Sequence, residues 1–283
     1  MSISKTNFFL KKLGFIGGGN ISQAILEGIS NLKDFDPKTI TISELNPETR
    51  KLISEKFGVS VIYDNQKILE DNQYTIIAVK PNTFRENKLE LNDEFLCRLR
   101  QKQQSNIISV MAGVKYAELA NKFKTDNIFR CMPNTSAKIN KSVTLWYTKS
   151  NNESSINNIS HLFSQIGFEQ KIDEENIINK ATAITGSGPA YIYTMMESMI
   201  DAGILIGLNR ELATKMVLNT FEGSSLMAQH TKQPVSILKQ QIVSPGGTTA
   251  EALYQLDKCG FKHSINEAIL AAYSHSNKNP FST

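Results

Sequence analysis

Gly14-Phe15-Ile16-Gly17-Gly18-Gly19-Asn20 is the stretch that decides the fold of this 283-residue chain. A short apolar strand, Leu13 to Ile16, runs into three glycines. Residues 20–32 then read as a helix with Ile21, Ala24, Ile25 and Gly28 on one face. The turn contains Gly17-x-Gly19-x-x-Ser22. In a strand–turn–helix setting the first glycine makes the tight turn. The second lets the backbone approach a pyrophosphate, and a small third residue lets helix and strand pack closely. Ser22 takes the place where Gly or Ala is usual, and it is small enough. The reading is a dinucleotide site resting on a helix N-terminus.

Working outward, strands and helix-length segments alternate. Residues 39–43, 59–62, 74–79, 107–110 and 128–131 read as strands, and residues 142–148 as a later one. Residues 47–57 read as a helix with Pro47 in its first turn. This alternation predicts a parallel sheet in an α/β, Rossmann-type doubly wound domain over residues 1–173. The segment around residues 151–158 is polar. From residue 174 strand signals stop and helical periodicity takes over. Ile192, Met195, Met196, Met199, Ile200 and Gly203 share one helix face, as do Ile265, Ala268, Ile269 and Ala272. Residues 174–283 are therefore expected to be an all-α C-terminal domain, with the Met pair filling its core. A bundle of that size needs a partner surface, which predicts a dimerisation domain.

The strand ends carry the candidate ligand contacts, because open α/β sheets bind ligands there. Glu44 ends the second strand. An acidic residue there accepts ribose hydroxyls and repels a 2′-phosphate, favouring NAD(H); Ser43, Asn46 and Arg50 remain possible holders of a phosphate. Asn65 follows the third strand, on the adenosine side. Ala78-Val79-Lys80-Pro81 ends the fourth. Val110-Met111-Ala112-Gly113 ends the fifth, on the nicotinamide side. Cys131 in the sixth reads as a small buried hydrophobe.

A second anion site stands in the helical half. Ser244-Pro245-Gly246-Gly247-Thr248-Thr249 cannot lie within a helix, and Ala250-Glu251-Ala252-Leu253 reads as a helix start. Thr248 and Glu251 have the form of a capping box. Free N–H groups and hydroxyls at such a start suit a small carboxylate.

Bulk properties narrow the classes. Apolar residues make up 40% of the chain, enough for a sizeable core. The formal net charge is +4 with Lys and Arg dispersed, which argues against nucleic-acid binding. Three separated cysteines without a CxxC suit a reducing, cytoplasmic setting. Phe8-Phe9-Leu10 is too short for a secretory core. Glu197 and Asp201 interrupt the apolar stretch 189–208, so no membrane span is expected. The four histidines show no metal spacing, and no G-x-S-x-G elbow occurs. Gly186-Ser187-Gly188-Pro189 reads as a helix start rather than a nucleophile loop.

Together these motifs closely resemble the pyrroline-5-carboxylate reductase family of proline biosynthesis: GFIGGGN (14–20), AVKP (78–81), AGV (112–114), MPNT (132–135), GSGPAY (186–191) and SPGGTT (244–249) stand in family order and spacing. The resemblance implies hydride transfer from NAD(P)H to the C=N carbon of 1-pyrroline-5-carboxylate, giving L-proline, in a homodimer that can assemble further. By position, Ile16, Gly17, Gly18, Gly19, Asn20 and Ile21 match the pyrophosphate site. Asn65, Ala78, Val79, Lys80, Pro81, Val110, Met111 and Ala112 match further cofactor contacts. Ser244, Gly247, Thr248 and Thr249 match the carboxylate and ring-nitrogen site, with Glu175 and Gln241 beside it and Thr249 as the catalytic contact. Ser43-Glu44-Leu45-Asn46 departs from the hydroxyl- or Arg-containing turn common in the family. NADP(H) is thus implied by resemblance, while Glu44 points to NAD(H). Two other readings are a β-hydroxyacid dehydrogenase type and a non-catalytic dinucleotide sensor. The first lacks its Lys-x-x-x-Asn after Gly188, and the second has no use for SPGGTT.

Overall fold

The computed structural model describes residues 12–102 and 105–277; the apolar run at residues 8–10 lies outside them. Eight strands form one sheet: β1 (Leu13–Ile16), β2 (Ile40–Ser43), β3 (Ser60–Ile62), β4 (Tyr74–Ile77), β5 (Asn106–Ser109), β6 (Ile128–Met132), β7 (Ser142–Thr148) and β8 (Gly167–Lys171). Their order is 3-2-1-4-5-6-7-8. The first six strands are parallel, and their order is that of a doubly wound dinucleotide fold. β1, β4 and β5 are buried along their whole length, as strands covered on both faces must be. The pleat sends Phe15, Ile76 and Ile108 into one core cluster and Ile16, Ile77 and Ile107 into the other.

Among the described residues the sheet is accompanied by α1 (Asn20–Ser30), α2 (Pro47–Phe57), α3 (Asn65–Asp71), α4 (Pro81–Arg85), α5 (Asp93–Lys102), α6 (Tyr116–Phe123) and α7 (Glu153–Ser164). α2 shows why they start and stop where they do. The Asn46 side chain accepts from the Thr49 N–H, Pro47 opens the first turn, and Gly58 closes the helix at φ 67°.

The sheet departs from the sequence expectation at its far edge. β7 runs antiparallel to β6, because residues 133–141 are too few for a parallel crossover. β8, parallel to β7, is an edge strand whose Phe168 is exposed, so its sequence carries no apolar alternation. The polar segment around residues 151–158 holds the start of α7. Asn152 accepts from the Ser155 N–H at its cap, and Ile159, Leu162 and Phe163 are buried.

The remaining helices are α8 (Asn176–Ala181), α9 (Gly188–Leu205), α10 (Arg210–Thr231), α11 (Val235–Gln241), α12 (Thr248–Lys258) and α13 (Phe261–Asn277). One compact unit runs to Gly186 and takes in the stretch from Tyr273; the other is Ser187–Ala272. The compact units divide at 186/187, so residues 174–186 pack with the sheet, while the helical pattern begins where expected. The reason is a buried tether. Arg130 on β6 donates to Glu175 Oε1 (2.8 Å) and Asn179 Oδ1 (2.6 Å), and Asn179 Nδ2 donates to Asn277 Oδ1 (2.8 Å). α8 and the end of α13 thus belong to the sheet unit.

Within the helical unit α9 and α10 pack together, and a Cβ on Gly203 would stand 3.1 Å from the Ala213 methyl. Among its described residues only Gly188, Ala213 and Val217 are buried. The expected core stripe is a surface in the isolated chain: Ile192 and Met199 are exposed, Met195 and Met196 half-buried. Leu205 and Ile206 are 87% and 82% exposed. One chain supplies too few facing side chains to cover this apolar surface.

Gly28 tests the packing of α1. The Ala137 carbonyl stands where its Cβ would be, and Asn140 Nδ2 donates to the Gly28 carbonyl (2.9 Å). Gly28→Ala is expected to cost about 1–3 kcal/mol through overpacking, read as a thermal midpoint lowered by several degrees. An unchanged midpoint would contradict this close approach.

Candidate active site

The β1–α1 turn is bound to its neighbours before any ligand arrives. Gly17 sits at φ 98°, a conformation that favours glycine. Its N–H donates to the Ser43 carbonyl (2.8 Å), and a Cβ there would stand 2.9 Å from the Ala78 carbonyl oxygen. Ala78 N–H in turn donates to the Ile16 carbonyl (2.9 Å). Ser22 Oγ donates to the Gly17 carbonyl (2.6 Å), and Gln23 Nε2 to that of Gly18 (2.8 Å). Ser22 is buried, as close helix–strand packing requires. At Gly19 nothing lies within 4 Å of where a Cβ would be. The open space there suits the close approach of a pyrophosphate, and Asn20 and Ile21 begin the helix behind it.

Glu44 does not point idly to solvent. Its Oε2 accepts from the Gly18 N–H (2.7 Å) and its Oε1 from the Asn46 N–H (2.8 Å). Arg50 Nη1 donates to the carbonyls of Glu44 (3.0 Å) and Leu45 (2.9 Å). Its guanidinium stands 5.9 Å from the Tyr63 ring centroid. Asn65 opens α3, where Asp64 accepts from the Lys67 N–H, and its Nδ2 donates to the Leu89 carbonyl (3.0 Å).

The loops after β4 and β5 are tied together. Arg85, at the end of α4, donates through Nε to Glu118 Oε2 (3.0 Å) and through Nη2 to the Gly113 carbonyl (2.6 Å). Glu118 Oε1 also accepts from the Lys115 N–H (2.9 Å). Burial works to raise the Glu118 carboxyl, but the Arg85 and Lys115 contacts outweigh it and hold the carboxyl below its usual range.

A cleft of about 280 Å³ opens at the carboxyl ends of β1, β2 and β4. It gathers Ile16, Gly17, Gly19, Ser43, Glu44, Asn65, Ala78, Val79 and Lys80 from the sequence expectation. Gly18 is buried beneath it with its N–H on Glu44. Asn20, Ile21 and Pro81 adjoin without lining it, and Val110, Met111 and Ala112 end the next strand, β5. Leu45, Thr83, Lys88 and Leu89 also line it and were not expected. Thr83 lies three residues beyond Lys80 on the turn of α4, a spacing legible in sequence. Lys88 and Leu89 had no local signal, since the side chains of Asn65 and Gln66 fix that loop through the Leu89 and Glu90 carbonyls. A larger cavity, about 550 Å³, involves Ser105 and Asn127 at the opposite, amino-terminal ends of β5 and β6. Cys131 is buried, which pushes its thiol well up. It is a core side chain, not a nucleophile.

In the helical unit, Ser244-Pro245-Gly246-Gly247 is a type II turn. Gly246 takes φ 69° and the Gly247 N–H donates to the Ser244 carbonyl (3.1 Å). The expected capping box is absent: Gly247, not Thr248, is the N-cap of α12, and no side chain caps it. Thr248 and Thr249 are instead the first two helical residues, whose N–H groups have no carbonyl one turn back. Their hydroxyls are distinctive too. Thr194, Thr214, Thr220 and Thr231 each donate to the carbonyl four residues earlier. Thr248 and Thr249 stand too early in their helix for that bond. A Cβ on Gly247 would collide with Ser244 Oγ, so glycine is needed for the hydroxyl to stay where it is. Gln241 Nε2 donates to Gln233 Oε1 (3.3 Å).

Glu175 belongs to the sheet unit. Its Oε1 accepts from Arg130 (2.8 Å) and from the Tyr116 N–H (2.6 Å). Arg130 is 1% exposed, its Nε has no partner among the described residues, and burial lowers its pKa against the pull of Glu175. This cluster holds β6, α6 and α8 together. Among the described residues no group of His, Cys, Asp and Glu is arranged to hold a metal ion, and no helix is long and apolar enough to cross a membrane.

Residues 12–113 match the family described as NADP oxidoreductase coenzyme F420-dependent, and residues 175–279 the one described as pyrroline-5-carboxylate reductase dimerisation. The pyrroline-5-carboxylate reductase of Synechocystis sp. is 32% identical over 94% of this chain and 97% of its own. That of Arabidopsis thaliana is 30% identical over 94% of each. The crystal structure of Plasmodium falciparum pyrroline carboxylate reductase, with NADP bound, superposes at a TM-score of 0.81 with 30% identity, covering 94% of this chain and 97% of that one. Likeness of this extent, in sequence and in backbone alike, leaves one assignment: the chain belongs to the pyrroline-5-carboxylate reductase family.

Proposed function

We propose that this protein reduces 1-pyrroline-5-carboxylate to L-proline, the last step of proline biosynthesis, with a hydride from NAD(P)H. The observation that carries the substrate assignment is the Ser244–Gly247 turn. It presents main-chain N–H groups and the unengaged hydroxyls of Thr248 and Thr249 at the start of an eleven-residue helix. That arrangement suits a carboxylate, since a helix N-terminus and charge-assisted hydrogen bonds both favour an anion.

The residues at the glycine turn suit a dinucleotide: open space at Gly19, an anion-attracting helix start, and an acidic acceptor at the end of β2. When bound there, a reduced nicotinamide supplies the hydride. Ile16 to Ile21 hold the pyrophosphate. Ser43, Glu44 and Asn65 hold the adenosine side, while Ala78, Val79, Lys80, Pro81, Val110, Met111 and Ala112 hold the rest. The Arg85–Glu118 pair keeps the last three in place.

In the helical unit Ser244, Gly247 and Thr248 take the substrate carboxylate, with Gln241 beside them. Thr249 touches the ring nitrogen. No strong acid–base pair is required, because a cyclic imine is readily protonated and the iminium is already a good hydride acceptor. The protein's main task is orientation, which can supply about 7–11 kcal/mol at best.

The exposed apolar helices support a homodimer. A surface with Leu205 and Ile206 almost fully exposed needs a cover, and a second copy of the same face is the natural one. Its three free cysteines accord with a reducing, cytoplasmic setting.

Thr249→Val is expected to leave the fold and NAD(P)H binding intact and to lower kcat/KM for the imine about tenfold or more, equal to about 1.4 kcal/mol. Unchanged kinetics would remove Thr249 from the site. Glu44→Ser frees the N–H groups of Gly18 and Asn46, so the kcat/KM ratio of NADPH to NADH should rise. No change in that ratio would mean Glu44 plays no part in holding the ribose.

A further inference from the structure

The cofactor cleft has one acidic wall and one basic wall. On the acidic side the two main-chain donors that face Glu44 are already taken. The N–H groups of Gly18 and Asn46 both bind the Glu44 carboxylate, and Arg50 bonds two carbonyls without lining the cleft. A 2′-phosphate on the adenosine ribose would stand there beside a carboxylate, and two anions side by side repel. The basic residues lining the cleft are Lys80 and Lys88.

They occupy different sides. Lys80 follows β4. Lys88 sits on a loop fixed against the first turn of α3, through Asn65 Nδ2 to the Leu89 carbonyl (3.0 Å) and Gln66 Nε2 to the Glu90 carbonyl (3.0 Å). That helix follows β3, the neighbour of β2, so Lys88 flanks the adenosine side. Buried Leu89 and Leu91 anchor the loop, and Asn87 and Glu90 wind it tightly at φ 59° and 55°. Lys88 Nζ pairs with Glu86 Oε2 (2.5 Å), the two side chains being 66% and 43% exposed. Such a surface pair contributes little and yields readily to a dianionic phosphate.

We propose that Lys88 is the specificity-determining contact for the adenosine 2′-phosphate. By this route a chain with Glu44 at the end of β2 still takes NADPH. The inference rests on the NAD(P)H-dependent reading above and concerns which residue recognises the phosphate.

The test is equilibrium binding of NADP⁺ and NAD⁺ by calorimetry, together with steady-state kinetics using both reduced cofactors, for the wild-type protein, Lys88→Met and Lys88→Arg. The charge-assisted contact predicts about a tenfold weaker Kd for NADP⁺ in Lys88→Met, with NAD⁺ within about twofold of wild type. Lys88→Arg should retain NADP⁺ binding. Equal losses for both nucleotides, no loss for either, or a wild-type protein that binds NAD⁺ but not NADP⁺ would each overturn the proposal. Retained selective binding with no reduction of the imine by any form would uphold Lys88 and overturn the reductase reading instead.

Discussion

The sheet unit depends on the turn at Gly17. One residue, at a φ that favours glycine, joins three strands. Its N–H reaches the end of β2, its Cα faces the carbonyl after β4, and its own carbonyl takes the Ser22 hydroxyl. Any side chain at this point would force β1 and β4 apart and tilt α1 off the sheet. The same constraint leaves the backbone bare at Gly19, so the packing that closes the fold also opens the cofactor cleft.

Glu44 shows how charge is laid over this frame. Its two oxygens hold the N–H groups of Gly18 and Asn46, so one carboxylate braces the glycine loop and the α2 cap. In the proposed reading the structural and selective roles are one arrangement, since a carboxylate that satisfies these donors would also repel a phosphate. The helical unit follows the opposite logic. It buries almost nothing on its own, and its order at residues 244–249 comes from local turn chemistry: proline and glycine in their type II positions, then a helix start without a side-chain cap.

Much of this was legible in the sequence because the signals are local. The glycine turn, the apolar central strands and the Pro-Gly-Gly turn each carry their own backbone requirement. What was not legible depends on contacts distant in sequence. Arg130 reaches Glu175 and Asn179 to draw α8 into the sheet unit, which no pattern around residue 174 announces. β8 lies at an exposed edge and has no alternation to read. Lys88 enters the cleft because Asn65 and Gln66 pin its loop. The spacing of the Met stripe of α9 marks it as apolar, but periodicity reports an apolar face without saying what buries it.

Reduction of 1-pyrroline-5-carboxylate by a nicotinamide hydride is the activity that the family of this chain implies. It is tested most directly by supplying the purified protein with 1-pyrroline-5-carboxylate and reduced nicotinamide cofactor, then following cofactor oxidation and proline together. The account predicts that each cofactor consumed is matched by one proline, with saturation in the imine. Tight cofactor binding without any consumption on adding the imine would contradict it.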